Sequence, residues 1–272
     1  MSDSLPSFEA IALSVQDGIA QLTLNRPDTL NALNDAMFRE IPVAVGCAAD
    51  AGARALLITG AGRGFCSGAD LVGRPLPPDA TPEQRERANR AGFERVITLV
   101  RALNEAPMPV VCAINGVAAG GGIDLALAGD VILMASSARF VLTFVPKLGL
   151  VPDVGATWLM ARMAGRARTM AASLLGDAIS AQDAERWGLV WRVVETEQLQ
   201  SEAMAVCRRL ADGPQEAVVG TRRLVDAASE MPIASHIVLE RDLQCRLIGA
   251  PDWVEGVKAF REKRPPKFGR GG

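Results

Sequence analysis

Two glycine-rich junctions, at residues 60–71 and 119–124, constrain the fold of this chain more than any other feature. Each junction follows a short run of apolar and β-branched residues, at 55–59 and 109–114, and each leads into a segment with helical spacing. A buried strand that turns through glycines into a helix leaves backbone N–H groups without an internal partner. One such turn can bind an anion, and two that converge can hold a developing oxyanion between two amides. The pair therefore indicates chemistry on a carbonyl or thioester group.

The alternation of strands and helices over the first 195 residues predicts an α/β fold with parallel strand pairing. An alternating pattern around Gln16-Asp17-Gly18 indicates a hairpin. Thr81 and Gln84 form a capping box ahead of a long helix, after a proline-rich segment at 72–80. The predicted strands are 8–15, 19–24, 54–59, 109–114, 130–135 and 190–194, and the predicted helices are 35–50, 82–105, 121–129, 156–163 and 180–188.

The last part of the chain has a purely helical pattern, with helices predicted at 196–211, 214–229, 232–249 and 251–262. We place a domain boundary at residue 200, between an α/β core at 1–200 that carries the site and a helical tail at 201–272. The apolar faces of the tail helices need a cover, which favours self-association.

Charge and cysteine content exclude several classes of protein. The net charge is −2, with 29 basic and 31 acidic residues, so no overall field attracts nucleic acid. The five cysteines are scattered without a CxxC pair, which argues against a disulfide framework or a zinc site. The N-terminus has no signal-peptide pattern, and the apolar stretch at 110–135 is interrupted by glycines, Asn115 and aspartates. We expect a cytoplasmic protein that binds neither membrane nor nucleic acid and holds no metal.

Glycine-rich turns also bind dinucleotides and phosphates, but neither interpretation fits this sequence. Gly60, Gly62 and Gly64 do not meet the Gly-x-Gly-x-x-Gly spacing, and no Gly-Lys-Ser/Thr motif follows them. Ser67 could be a hydrolase nucleophile, yet the single histidine, His236, lies deep in the predicted tail. We interpret His236 as a structural or interface residue. A dinucleotide enzyme, a P-loop protein and a serine hydrolase are all disfavoured.

Four aspartates are candidates for acid–base chemistry at such a site. Asp124 follows the second junction in an otherwise apolar helix, where burial raises a carboxyl pKa toward the working range of a general acid or base. Its alternative role is that of a structural hydrogen-bond acceptor near the helix start. Asp153 lies in a turn before the helix at 156–163, where N-capping explains it equally well. Asp70 and Asp130 fit capping or turn positions better.

Five motifs, present in order, resemble the enoyl-CoA hydratase/isomerase (crotonase) superfamily. They span roughly residues 8–268 and are much more specific for the superfamily than for one reaction. The motifs are Leu22-Thr-Leu-Asn-Arg-Pro-Asp28 with Asn31-Ala-Leu33, Phe65-Cys-Ser-Gly-Ala-Asp-Leu71, Ala113-Ile-Asn-Gly-Val-Ala-Ala-Gly-Gly-Gly122, Leu148-Gly-Leu-Val-Pro152 and Phe260-Arg-Glu-Lys-Arg-Pro-Pro-Lys-Phe268.

The resemblance implies an α/β fold, a crotonase-like spiral of ββα units, with a C-terminal helical region that assembles trimers or dimers of trimers. It implies an acyl-CoA thioester as the substrate, with coenzyme A as part of that substrate and no separate cofactor. By position, the backbone amides of Ala69 and Gly121 would form the oxyanion hole, and residues 72–92 would wall the acyl pocket. The residues that would bind CoA are Arg26, Ser67, Gly68, Asp70 and Leu71, with Phe260 and Lys263 contributed by the tail of the same or a neighbouring subunit.

The chain departs from the family at the two glutamates that handle water in its hydratases. The first position is Asp124, and the second falls in a segment one residue longer, at Phe144 or Val145, neither of which is an acid. Asp153 matches the acid that moves a proton along the acyl chain in some isomerase members. The resemblance favours an enoyl-CoA isomerase, with Asp153 as proton shuttle and Asp124 as an orienting group or second acid/base. The alternatives are a 2-enoyl-CoA hydratase that uses Asp124 with help from Asp153, and a non-catalytic acyl-CoA-binding protein.

Overall fold

A computed structural model describes residues 5–71 and 79–269 of the chain. Most of the predicted proline-rich segment, at 72–78, lies outside the described residues. The strands are β1 (Ile11–Gln16), β2 (Ile19–Leu24), β3 (Ala55–Gly60), β4 (Gly64–Cys66), β5 (Val110–Ile114), β6 (Val117–Ala119), β7 (Val131–Ala135), β8 (Arg139–Val141), β9 (Ile179–Ser180) and β10 (Arg192–Val194). The helices are α1 (Asp35–Asp50), α2 (Pro82–Asn104), α3 (Gly121–Leu127), α4 (Ala156–Met163), α5 (Arg166–Leu175), α6 (Ala181–Arg186), α7 (Leu199–Ala211), α8 (Gln215–Ala228), α9 (Ile233–Leu247) and α10 (Pro251–Glu262).

The strands form two sheets that are built by repeated ββα units. The larger sheet has the order β1-β2-β3-β5-β7-β10, with β1 antiparallel to β2 and the other pairs parallel. The smaller sheet has the order β4-β6-β8-β9, in which β9 pairs antiparallel with β8. The units β3-β4-α2, β5-β6-α3 and β7-β8-α4 each give their first strand to the larger sheet and their second to the smaller sheet, whereas β1 and β2 both lie in the larger sheet. The predicted α/β spiral is confirmed.

The smaller sheet was largely absent from the prediction. Its strands have two or three residues, which is too short for a period of two to be recognised. Helix α5 was missed as well, although it begins after Gly165 and ends at Gly176, the glycine punctuation that often marks helix ends. The first predicted junction, at 60–71, therefore contains β4, and the second, at 119–124, follows β6 and not β5.

Helix starts follow the capping signals in the sequence. The Asn34 side chain accepts a hydrogen bond from the Met37 N–H at 3.0 Å and begins α1. At α2, Thr81 and Gln84 exchange side chain to backbone hydrogen bonds of 3.3 and 2.9 Å, which confirms the capping box.

The helices after β10 differ in the elements against which they pack. Helix α7 packs against β2, β3, β5 and β7, whereas α8 packs mainly against α9. Arg222 of α8 forms an ion pair with Asp130 and donates to the Ala106 and Met108 carbonyls at 2.7 Å, which ties this helix to the core. Asp130 also accepts from the Val110 N–H, in keeping with its expected structural role. The boundary at residue 200 stays a prediction. Within the described residues, no helix has the length and apolar character needed to span a bilayer.

Candidate active site

The two glycine junctions meet at one edge of the smaller sheet. Strands β4 and β6 are parallel neighbours, so the segments that leave their carboxyl ends lie side by side. A Cβ atom placed on Gly68 would lie 2.7 Å from the Ala119 oxygen and 3.4 Å from the Gly120 Cα. A Cβ on Gly122 would collide with the Cys66 carbonyl. The approach of the two segments therefore requires glycine at these positions.

The amides of Ala69 and Gly121 both lie at this contact. The Gly68 carbonyl and the Asp70 N–H bond to Leu33 at 2.8 and 3.0 Å, so the alternating backbone turns the Ala69 N–H to the opposite side. Gly121 is the first residue of α3, where an N–H has no acceptor inside the helix. Neither N–H has an acceptor among the described residues, and both residues line the same pocket, which we call the amide pocket. Two free amides in one pocket can stabilise an oxyanion.

Asp153 lies in the amide pocket with Ala69 and Gly121. The N-cap of α4 is Gly155, without a side-chain cap bond, so N-capping does not account for Asp153. The next residue, Val154, has a φ of +60°, a left-handed conformation that is strained for a β-branched side chain. Strain of this kind persists only where the surrounding structure imposes it, and it fixes the turn that carries Asp153.

Asp124 is the most deeply buried acid of the site, with 2% of its surface exposed. Neither of its carboxyl oxygens has a hydrogen-bond partner among the described residues. Burial, and after it the charge of Asp153, raises the pKa of Asp124 to about 8. Asp124 lines a neighbouring cavity of about 250 Å³ between α2, α3 and α4, and Val154 lines both this cavity and the amide pocket. The two carboxyls are thus electrostatically coupled but face different spaces.

The segment that the resemblance matches to the second hydratase glutamate contributes a phenyl ring to the amide pocket. Residues Phe144–Leu148 form one turn of π-helix, which accommodates the extra residue noted in the sequence. Phe144 is buried and lines the amide pocket, with its ring 3.6 Å from a Cβ position on Gly120, whereas Val145 does not line it. Between the two residues left open by the sequence, the structure places Phe144 in the pocket.

The residues predicted to bind CoA separate into three groups. Ser67, Gly68 and Leu71 line the amide pocket, and the Ser67 hydroxyl donates to the Thr29 carbonyl at 2.9 Å. Arg26 and Asp70 pair with each other at 2.9 Å on the adjoining loop. The tail residues Phe260 and Lys263 lie at the end of α10, where Phe260 is 85% exposed, and they do not line the pocket of their own chain.

The described residues give little support for a histidine-dependent or metal-dependent reaction. His236 is buried on α9 beside Glu240 and does not line the amide pocket. Among residues 5–71 and 79–269, no three His, Cys, Asp or Glu side chains cluster as metal ligands. The amide pocket is also lined by Val154, Phe93 and Val96, which were not predicted from the sequence. The two residues on α2 follow its apolar spacing, whereas nothing in the sequence marks the left-handed Val154.

The raised pKa of Asp124 predicts a pH-dependent effect of Asp124→Asn on stability. Between the unfolded value of 3.8 and about 8, the folded protein holds a proton that the unfolded chain has released, so stability falls as pH rises. Asn cannot ionise, and the variant should gain at least about 1 kcal/mol in unfolding free energy relative to wild type between pH 5 and pH 8. Urea unfolding at several pH values measures this, with the exposed Asp177→Asn as control. A pH-independent difference would contradict the assignment.

Comparisons with known proteins give matches over nearly the whole chain. The family model described as Enoyl-CoA hydratase/isomerase matches residues 14–271. The chain is 43% identical to the 1,2-epoxyphenylacetyl-CoA isomerase of Escherichia coli and 39% identical to a "probable enoyl-CoA hydratase" of Rhodobacter capsulatus, in both cases over 96% of this chain and 98% of the relative. The crystal structure of an enoyl-CoA hydratase from Bacillus anthracis matches with a TM-score of 0.87 at 30% identity, over 96% of this chain and 99% of that one.

Proposed function

The chain belongs to the enoyl-CoA hydratase/isomerase family, whose members act on acyl-CoA thioesters, and on that basis we propose that it shifts a double bond within an enoyl-CoA. The observation that carries this proposal is the composition of the amide pocket. One carboxylate, Asp153, lies there with the two free amides, and the segment matched to the second hydratase glutamate contributes Phe144 and no acid. A double-bond shift needs one base near two carbons and needs no water.

The thioester oxygen would lie between the N–H groups of Ala69 and Gly121. Asp153 removes a proton from the α carbon of a 3-enoyl-CoA, and the electron pair spreads over a dienolate whose oxygen charge the two amides stabilise. The same carboxyl then returns its proton to the γ carbon, which leaves a 2-enoyl-CoA. Atoms and charge balance, and no cofactor is needed beyond the coenzyme A that the substrate carries.

Asp124 supports this role of Asp153 electrostatically. Two neighbouring carboxyls do not readily ionise together, and the more buried one keeps the proton. With Asp124 neutral at pH 7, it places no competing negative charge beside Asp153, the proposed base. The similarity to a CoA-thioester isomerase at 43% identity is consistent with this assignment.

A 2-enoyl-CoA hydratase is the second candidate, because several relatives carry that name and Asp124 keeps a carboxyl at the first glutamate position. Water addition would require Asp124 and Asp153 to hold the same water molecule, although they face different spaces. A non-catalytic acyl-CoA-binding role is the third candidate, and the two free amides argue against it.

Purified protein incubated with 3-enoyl-CoA and 2-enoyl-CoA of several chain lengths tests the proposal. We expect rapid conversion of the 3-enoyl thioester to the 2-enoyl thioester, followed by the ultraviolet absorbance of the conjugated product, with negligible formation of 3-hydroxyacyl-CoA. Rapid hydration without isomerisation would establish the hydratase instead. Binding of both thioesters without turnover would support the non-catalytic role.

We also propose that the protein self-associates as a trimer or a dimer of trimers. Apolar side chains stand exposed on α8, α9 and α10, and a contiguous exposed apolar surface of this kind usually marks an interface. The exposed residues are Val225, Ile233, Ile237, Val238, Val254 and Phe260. A neighbouring tail could then bring Phe260 and Lys263 to the CoA site.

A further inference from the structure

The cavity beside the amide pocket combines an apolar wall with one unsatisfied carboxyl. It has a volume of about 250 Å³ and lies between α2, α3 and α4. Its wall is formed mainly by apolar side chains, and Asp124 contributes an acid to it; the wall includes Leu99, Leu103, Leu125, Trp158 and Leu159. A cavity with apolar walls and few polar groups has the usual composition of a small-molecule site.

Asp124 is unusual for a buried acid because nothing in the described chain satisfies it. It is 98% buried, since 2% of its surface is exposed, and neither Oδ1 nor Oδ2 has a hydrogen-bond partner among the described residues. Leaving a buried polar group unpaired is unfavourable, and native proteins rarely do so without a reason. The carboxyl therefore has unused hydrogen-bonding capacity that a bound molecule can satisfy.

The cavity and the amide pocket adjoin each other. Val154 lines both spaces, and its Cγ2 lies 3.4 Å from a Cβ position on Gly121, one of the two oxyanion residues. An acyl chain whose thioester oxygen lies between the amides therefore has this cavity within reach past Val154. The cavity is the adjoining space for the part of the acyl group beyond the reacting carbons.

We propose that the cavity binds the distal part of the acyl group and that Asp124 recognises a hydroxyl group on it. The substrate class is accordingly a compact, apolar, hydroxyl-bearing enoyl-CoA. This rests on the proposed function, because it assumes that the thioester lies at the two amides. Asp124 is then a specificity-determining residue as well as the partner of Asp153.

A hydroxyl fits this site better than the other common oxygen groups. A neutral carboxyl offers one O–H donor and one carbonyl acceptor, and a hydroxyl can both accept from the first and donate to the second. An ether or ketone can only accept, which leaves the second oxygen of Asp124 unsatisfied. A carboxylate would place a further negative charge beside Asp153, and burial disfavours the charged form of any such group.

Binding of saturated thioesters tests this inference independently of turnover. The probes are cyclohexylacetyl-CoA and its 4-hydroxy derivative, which contain no double bond and cannot isomerise. We expect calorimetry to show the hydroxylated probe binding about three- to tenfold more tightly to wild type, as one buried hydrogen bond would give. In Asp124→Leu, the order should reverse, because a hydroxyl would then be buried against an apolar side chain.

Control variants keep the test decisive. Asp124→Asn, which retains a donor and an acceptor, should keep part of the preference even if Asp124→Leu does not fold. The exposed Asp177→Asn should retain all of it. Equal or weaker binding of the hydroxylated probe to wild type would overturn the inference, as would a preference that survives in Asp124→Leu. Turnover of 3-enoyl-CoA is measured separately. If the protein preferred the hydroxylated probe through Asp124 but did not isomerise 3-enoyl-CoA, the proposed isomerase reaction would be refuted and the hydroxyl recognition would stand.

Discussion

Asp153→Asn should lower kcat for conversion of 3-enoyl-CoA to 2-enoyl-CoA by about 10²–10⁴-fold, the usual contribution of a positioned general acid–base group. Asn has nearly the same shape as Asp and cannot accept and return the proton. Asp153 is also the acid that the structure places in the amide pocket with Ala69 and Gly121. Steady-state kinetics gives kcat, and calorimetry with a saturated acyl-CoA gives the dissociation constant. That constant should change by less than about threefold, because Asp153 is not among the residues proposed to bind CoA.

Two variants separate this role from general damage to the site. Asp177→Asn makes the same chemical change at an exposed position and should retain wild-type activity. Asp124→Asn should lower kcat less than Asp153→Asn, since Asp124 faces the neighbouring cavity. If Asp153→Asn turned over at the wild-type rate, or if Asp124→Asn were the more damaging change, Asp153 would not be the proton shuttle.

Gly121→Pro should lower kcat by about 10²–10³-fold, the range seen when one oxyanion-hole donor is removed. Proline removes the backbone N–H, and position 121 is the first residue of α3, the helix position at which proline is best tolerated. The substitution therefore deletes the donor with the smallest expected change in the helix. Kinetics with the 3-enoyl substrate and thermal unfolding of the same preparation measure the two effects separately.

Gly121→Ala is the matched control because it adds a side chain and keeps the N–H. The new Cβ would lie 3.4 Å from Val154 Cγ2 and 3.6 Å from Leu33 Cδ1, which are ordinary contacts. This variant should stay within a few-fold of wild-type activity. A folded Gly121→Pro protein as active as Gly121→Ala would show that this amide does not stabilise the transition state.

Local signals in the sequence predicted much of the fold and, within the site, the two glycine junctions. The capping box at Thr81 and Gln84 and the N-cap at Asn34 gave the starts of two helices, because capping depends on residues within one turn. The junction glycines were recognisable because only glycine permits the approach at Gly68 and Gly122. The two-residue to three-residue strands of the smaller sheet were not predicted, since their pairing with distant segments defines them.

The sequence pattern by itself determined the α/β class, the two amide-bearing junctions and the set of candidate acids, because each depends on short-range pattern or on residue type, and the family resemblance implied the spiral. Only the tertiary structure decided how the acids differ. It placed Asp153 in the pocket of the two amides, and it brought Phe144 of the π-helical turn, not Val145, into the same pocket. It also buried Asp124 in a cavity built from three helices that are distant in sequence. Burial and electrostatic coupling are properties of packed neighbours, and they set the pKa and the direction of each carboxyl.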